Sequence, residues 1–244
     1  MSVTYLVFDY QTHGLAVLKE INSELARKAK ARELFQREAR SLQALRHPGI
    51  PRFHDFFFTD ERYSLVMEMI HGQTLEKVRP KSPEEAVGWI LEVCDVLNFI
   101  HNRNPPMIHR DIKPGNLIMR YHPRQIVLID FGAVKDATSA PGTRIATPGY
   151  SALEQQRGIP CIQSDYYALG TTLLFLLTRQ FPGNFYDSGQ RQFVSLERAG
   201  IPKSIASAIL KLTAFDPAQR PQTATDVANL LRESVLLAQE EPAY

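Results

Sequence analysis

Four short motifs in a fixed order constrain this chain more than any other feature. Ala16-Val17-Leu18-Lys19 comes first and His109-Arg110-Asp111-Ile112-Lys113-Pro114-Gly115-Asn116 second. Ile129-Asp130-Phe131-Gly132 is third, and Thr147-Pro148-Gly149-Tyr150-Ser151-Ala152-Leu153-Glu154 closes the series. Any one of them alone reads as an ordinary turn or strand. In this order they supply nearly every charged group that phosphoryl transfer needs: cations for phosphates, oxygen ligands for a metal, and a carboxylate to accept a proton.

The texture between the motifs sets the architecture. Val3 to Phe8 alternates and is rich in β-branched and aromatic residues, and a turn at Thr12-His13-Gly14 leads into Leu15 to Lys19, which is a hairpin signal. From Ser23 to about Leu45 the pattern is helical and charged, with Leu34, Leu42 and Leu45 on a partial apolar face, until His47-Pro48-Gly49 ends it. Strand-like runs follow at Phe53 to Phe58 and Tyr63 to Ile70. After Gly72 the chain turns helical. Ser82 is a predicted N-cap, with Pro83 in the first turn and Glu85 closing a capping box. Ala86, Ile90, Val93, Leu97 and Ile100 then share one helix face. Short strands at Leu117 to Met119 and Ile126 to Ile129 flank the central motifs. The expectation is an α+β, bilobal fold: residues 1–69 form a β-rich N-terminal lobe with one helix, and residues 70–244 a mainly helical C-terminal lobe.

Composition narrows the class. A 244-residue chain with 44% hydrophobic and 22% charged residues reads as globular. The net charge of +2 gives no reason to expect a nucleic-acid partner. Cys94 and Cys161 lack metal-ligand spacing and read as reduced core thiols. The longest apolar block, Leu173 to Leu177, is too short for a membrane span and reads as a buried helix. With no signal-peptide layout, a cytoplasmic location is expected.

Each motif has a chemical reading. Asp111 is the candidate proton acceptor for a hydroxyl nucleophile, and Lys113 can neutralise the transferring phosphate. Asn116 and Asp130 offer oxygen ligands suited to Mg²⁺. Lys19 is the candidate grip on the α- and β-phosphates of ATP and needs an anion to hold it. Glu24, Glu33 and Glu38 compete for that task, and Glu38 is preferred. Arg27, Lys28, Lys30 and Arg32 read as a solvated face.

From about Thr4 to Arg232 the chain resembles the catalytic domain of eukaryotic-type protein serine/threonine kinases. Its flavour is bacterial, and Leu128 to Lys135 is similar to cyanobacterial members. Lys113, two residues after Asp111, and Thr147 to Tyr150 resemble the Ser/Thr branch. The resemblance implies ATP and Mg²⁺ as cofactors and Ser/Thr-bearing proteins as substrates, with autophosphorylation possible. It implies Met67 as gatekeeper, Glu68 and Met69 as the adenine hinge, and Val17 and Ile118 on either side of the adenine. It further implies that Asp165 steadies the catalytic loop and that Arg220 pairs with Glu154. Arg110 would receive a phosphate from the segment between Asp130 and Glu154, where Thr143 is preferred over Thr138 and Ser139, while Thr147 would contact the catalytic loop. The docking-loop character of Thr147 to Glu154 disfavours a small-molecule kinase. Gly115 stands where basophilic relatives carry a glutamate.

One part is missing. Aligning Tyr5-Leu6 with the family's second strand puts Ser2 at the last glycine of the Gly-rich loop, and no residues correspond to the first strand. Either the sequence is truncated or the protein lacks this lid. Val17 in place of alanine and Leu153 in place of proline are milder departures. These features motivate the alternative of a pseudokinase-like regulatory module with weak or no transfer.

Overall fold

In the computed structural model of this chain, the structure describes residues 2–10, 13–21, 23–136 and 146–241. The N-terminal lobe is built on a four-stranded antiparallel sheet of order β1-β2-β4-β3, comprising β1 (Ser2–Asp9), β2 (Gly14–Ile21), β3 (Phe53–Thr59) and β4 (Arg62–Glu68). The period-two alternation along β2 puts Val17 and Lys19 on one face, and pairing sets Val17 opposite Met67 and Lys19 opposite Leu65. One register therefore brings Val17, Lys19 and Met67 to the same surface.

The helix expected from Ser23 to Leu45 is two helices, α1 (Ser23–Ala26) and α2 (Ala29–Ala44). Lys28 is extended at the break. The break persists because its carbonyls find other donors: Arg32 Nη1 donates to Ala26 O, and the Ala31 and Arg32 amides donate to Lys28 O. On α2, Phe35, Ala39 and Leu42 bury an apolar stripe that also contains the carboxylate of Glu38.

After the short β5 (Gly72–Thr74), α3 (Pro83–His101) forms the hub of the C-terminal lobe. Ser82 caps it by accepting from the Glu85 amide at 3.3 Å. The Glu85 carboxylate accepts from the Lys81 amide at 2.6 Å, one residue earlier than a capping box requires. The buried face carries Ala86, Ile90, Val93, Leu97 and Ile100 as the periodicity predicts. It packs on α5 (Ile162–Thr178), which includes the Leu173–Leu177 block, and on α7 (Ala224–Ala238), itself packed on α6 (Lys203–Leu212). Strands β6 (Met107–Ile108), β7 (Leu117–Arg120), β8 (Gln125–Leu128) and β9 (Lys135–Asp136) form the small sheets β5-β7-β8 and β6-β9, of which β6 and β8 pack on α3. On β7, Leu117 and Met119 point into the core and Ile118 points the other way, toward the sheet of the first lobe. Cys94 is a core thiol, whose burial pushes its pKa up to about 12. Cys161 is instead half-buried at the start of α5, where its amide needs the Ser164 hydroxyl as acceptor. Among the described residues, no helix is long and apolar enough to cross a membrane.

Candidate active site

A cavity of about 510 Å³ opens between the β-sheet and the second lobe. Val17, Met67 and Ile118 line its apolar part, and Glu68 and Met69 line it as well. Lys19, Glu38, Asn116 and Asp130 line its polar end. The residues expected to hold adenine and the α- and β-phosphates thus stand on one surface, and Lys113 lies outside it.

The polar end is a charge relay across three elements. Lys19 Nζ lies 2.6 Å from Glu38 Oε1 and 3.1 Å from Asp130 Oδ1. Glu33, one of the competitors, instead pairs with Arg37 along the surface of α2. Burial works against the charge on Lys19, but Glu38 and Asp130 outweigh it and hold the ammonium above its ordinary pKa. Burial also opposes ionisation of Asp130, yet Lys19 and the Gly132 amide keep its carboxyl below the usual range. Asp130 is held in the left-handed region at φ 65° and caps the Phe131–Ala133 turn through Gly132 N.

A second cluster sits on the loop before β7. Lys113 Nζ lies 2.9 Å from both oxygens of Asp111, and Asn116 Nδ2 donates to Asp111 O and Oδ2 at 2.7 and 2.8 Å. Thr147 Oγ1 donates to Asp111 Oδ1 at 2.7 Å, and Lys113 Nζ donates to the same hydroxyl at 3.3 Å. A carboxylate, an ammonium and a carboxamide are held together around the short Pro114–Asn116 turn.

This loop is shaped from below by Asp165. Fully buried on α5, it accepts from the His109 amide at 2.9 Å and the Arg110 amide at 2.8 Å. Arg110 has φ 69°, a conformation costly to a side-chain-bearing residue unless its surroundings over-determine it. Gln155 Nε2 donates to Arg110 O at 2.6 Å, and the Arg110 guanidinium donates to Ala133 O, tying the loop to the turn after Asp130. Glu154 and Arg220 form an ion pair at 2.7 Å, with the Arg220 side chain almost wholly buried. Thr143, with Thr138 and Ser139, lies outside the described residues.

The protein kinase domain family matches residues 1–236. The chain belongs to this family. Serine/threonine-protein kinase C of Synechocystis sp. is 37% identical over 219 residues, which are 82% of this chain and 40% of that protein. PknA of Nostoc sp., also a serine/threonine-protein kinase, is 34% identical across 84% of this chain and 39% of its own length. The kinase domain thus spans about half or less of the length of these curated relatives. Among solved structures, the PknI kinase domain of Mycobacterium tuberculosis superposes with a TM-score of 0.74 at 24% identity, covering 96% of this chain and 91% of that one. That likeness establishes the bilobal α+β kinase fold.

Reading the sequence missed several groups that shape the site of this kinase domain. His101 ends α3 and sits 2.9 Å from Asp165 Oδ2 and 3.2 Å from the Tyr166 hydroxyl. Its signal was available: it extends the apolar face of α3 by one position beyond Ile100, where a polar residue needs a buried partner. His109 is fully buried edge-on against Phe131, and burial pushes its pKa below the ordinary value. Glu68, expected only as a hinge residue, pairs through Oε1 with Arg120 at 2.9 Å and accepts from the Arg52 amide at 3.1 Å. No local signal marks Arg120, because its partner is 52 residues away.

Proposed function

We propose that this kinase domain transfers the γ-phosphoryl group of ATP to Ser or Thr hydroxyls of proteins, itself among them. The observation that carries the reading is that Lys19, Glu38, Asp130 and Asn116 line the polar end of one cavity, while Asn116 is hydrogen-bonded to Asp111, which Lys113 also holds. Phosphoryl transfer is mostly positioning and electrostatics, and this is the charge set it needs.

Val17 and Ile118 would hold the adenine between them, with Met67 as the gatekeeper at the rear and the Glu68–Met69 backbone alongside. Lys19, fixed by Glu38, would bind the α- and β-phosphates. Asp111 would take the proton of the attacking hydroxyl, and Lys113 would neutralise charge as the phosphoryl group moves. Thr147 would hold Asp111 and Lys113 in register. Arg110 would receive a phosphate on the segment containing Thr143. Asp165 and the Glu154–Arg220 pair would act through the backbone they position.

The donor set fits Mg²⁺. Asn116 donates its amide protons to Asp111, which leaves its side-chain oxygen as an acceptor, and Asp130 offers a second, hard oxygen ligand. Held by these two residues, such an ion would supply neutralisation of phosphate charge.

The regulatory-module reading is favoured by one feature: the branched side chain of Val17, rather than an alanine, lines the cavity where adenine would sit. Incubation with γ-labelled ATP and Mg²⁺, with generic protein substrates and beside Asp111→Asn, separates the two. Label on the wild type alone is expected. Absence of label on both would overturn the transferase reading in favour of the regulatory one.

A further inference from the structure

Two connections join the lobes beside the cavity. One is covalent: Met69, Ile70 and His71 carry the chain from β4 to β5 and lie outside the register of both strands. The other is electrostatic. Arg120, the last residue of β7, donates through Nη2 to Oε1 of Glu68, the last residue of β4, at 2.9 Å. The Arg120 side chain is 14% exposed and that of Glu68 22%, so salt screens the pair weakly.

The two ends of the pair are anchored in opposite walls of the cavity. Glu68 is fastened to the segment before β3 in both directions. Its amide donates to Arg52 O at 2.8 Å, and its Oε2 accepts from the Arg52 amide at 3.1 Å. The Arg52 guanidinium is exposed and 4.0 Å from that oxygen, so Arg120 is the close, buried cation on Glu68. Arg120 stands two residues after Ile118, so both side chains leave the same face of β7. That strand is fixed between β5 and β8, with Arg120 opposite Gly72 and Gln125. Ile118 thus comes from the strand that bears Arg120, and Met67 from the strand that bears Glu68. One ion pair sets the spacing between the two walls.

A three-residue connector by itself permits rotation, since each residue keeps two soft dihedrals. A second bond across the same gap removes that freedom. A half-buried ion pair suits this task, because separating it strands both charges where water solvates them poorly. The planar guanidinium adds direction, which an ammonium on a flexible stem does not. We propose that Arg120 is a positioning residue for the nucleotide. Through Glu68 it holds the Met69–His71 connector in the conformation that receives adenine, so that little ordering remains to be done on binding. This role rests on the kinase reading above, in which Val17, Met67 and Ile118 enclose adenine.

Isothermal titration with ADP, beside amide hydrogen exchange of the unliganded protein, tests this role without reference to turnover. Arg120→Ala should weaken ADP binding about tenfold, and Arg120→Lys, which keeps the charge but not the fork, about threefold. Glu68→Gln should weaken it about as much as Arg120→Ala. The double variant should be no worse than either alone, because both changes remove the same bond. Exchange at Met69, Ile70 and His71 should quicken in Arg120→Ala, while the amides of α6 and α7 keep wild-type rates. Unchanged ADP affinity in both single variants, or losses that add in the double variant, would overturn the role of Arg120. Faster exchange spread evenly over both lobes would overturn it too, since that marks a merely structural pair. Should Arg120→Ala fail to fold, Arg120→Lys and Glu68→Gln carry the same comparison. A wild type that binds no ADP would overturn the kinase reading and the role of Arg120 with it. Where the wild type binds ADP, a failed variant test counts against Arg120 alone.

Discussion

Replacing Asp165 by alanine is expected to be among the most damaging single changes outside the apolar core. The carboxylate is fully buried and has three hydrogen-bond partners: the His109 amide, the Arg110 amide and His101 Nε2. Truncation leaves two buried backbone donors and one imidazole unsatisfied. Each such orphan costs about 1–3 kcal/mol, although a relaxed loop or an entering water recovers part of it. The compensation for the positive φ of Arg110 is lost as well, which is worth about 1–3 kcal/mol at such a position. Relaxation of the loop trades the second cost against the first, so the two do not add fully. The net expectation is a loss of about 3–5 kcal/mol, or about 6–20 °C in melting temperature for a chain of this size. Asp165→Asn keeps the shape but turns an amide N–H toward a backbone N–H, and should lose about half as much. Urea and thermal denaturation of the wild type, Asp165→Ala, His101→Phe and the double variant would measure this directly. The Asp165 and His101 losses should be non-additive, because the two side chains share a hydrogen bond. An Asp165→Ala variant within about 1 kcal/mol of wild type would refute the claim that this carboxylate holds the loop.

Three further outcomes are expected. Gly72→Ala would put a Cβ 2.1 Å from Met119 O and 2.8 Å from Ile118 Cγ2, so β5 must move away from β7; stability should fall, and ATP affinity measured by fluorescence or calorimetry should weaken through the displaced Ile118. Ser82→Ala removes the acceptor for the Glu85 amide and should cost about 1 kcal/mol in denaturant unfolding, while Ser82→Gly costs only a few tenths. For His109, burial holds the folded pKa below the unfolded value of about 6.5, so below that pH the unfolded chain binds a proton that the folded one does not. Stability should therefore fall as pH drops below about 6.5, by up to about 1.4 kcal/mol per pH unit, until the folded pKa is reached. His109→Phe should flatten that slope between about pH 6.5 and 5.5, and an unchanged slope would show that another group controls it.

Much of the fold was legible because its causes are local. The alternation in β1, β2 and β4, the Ser82 cap and the apolar stripe of α3 depend on residues within a few positions of each other, and they stand where the pattern put them. Local reading failed where other hydrogen bonds competed with the pattern. The single helix expected to begin at Ser23 is broken at Lys28, because Ala26 is buried and its carbonyl is taken by Arg32. Glu85 reaches Lys81 rather than closing on Ser82, and it also pairs with Arg124, 39 residues on.

The candidate site divides along the same line. Short motifs name Lys19, Asp111, Lys113, Asn116 and Asp130, since phosphoryl chemistry restricts which side chains can serve and several stand on one loop. Those motifs hold no information about which groups 40 to 100 positions away meet them. Only the tertiary structure sets His101 beneath Asp165, ties Glu68 to Arg120, and gathers Arg37, Arg40 and Arg103 around one cavity. The physical reason is that a charge in a folded chain acts through distance and burial. Distance and burial are properties of the packed chain, which the order of residues along a strand or helix does not contain.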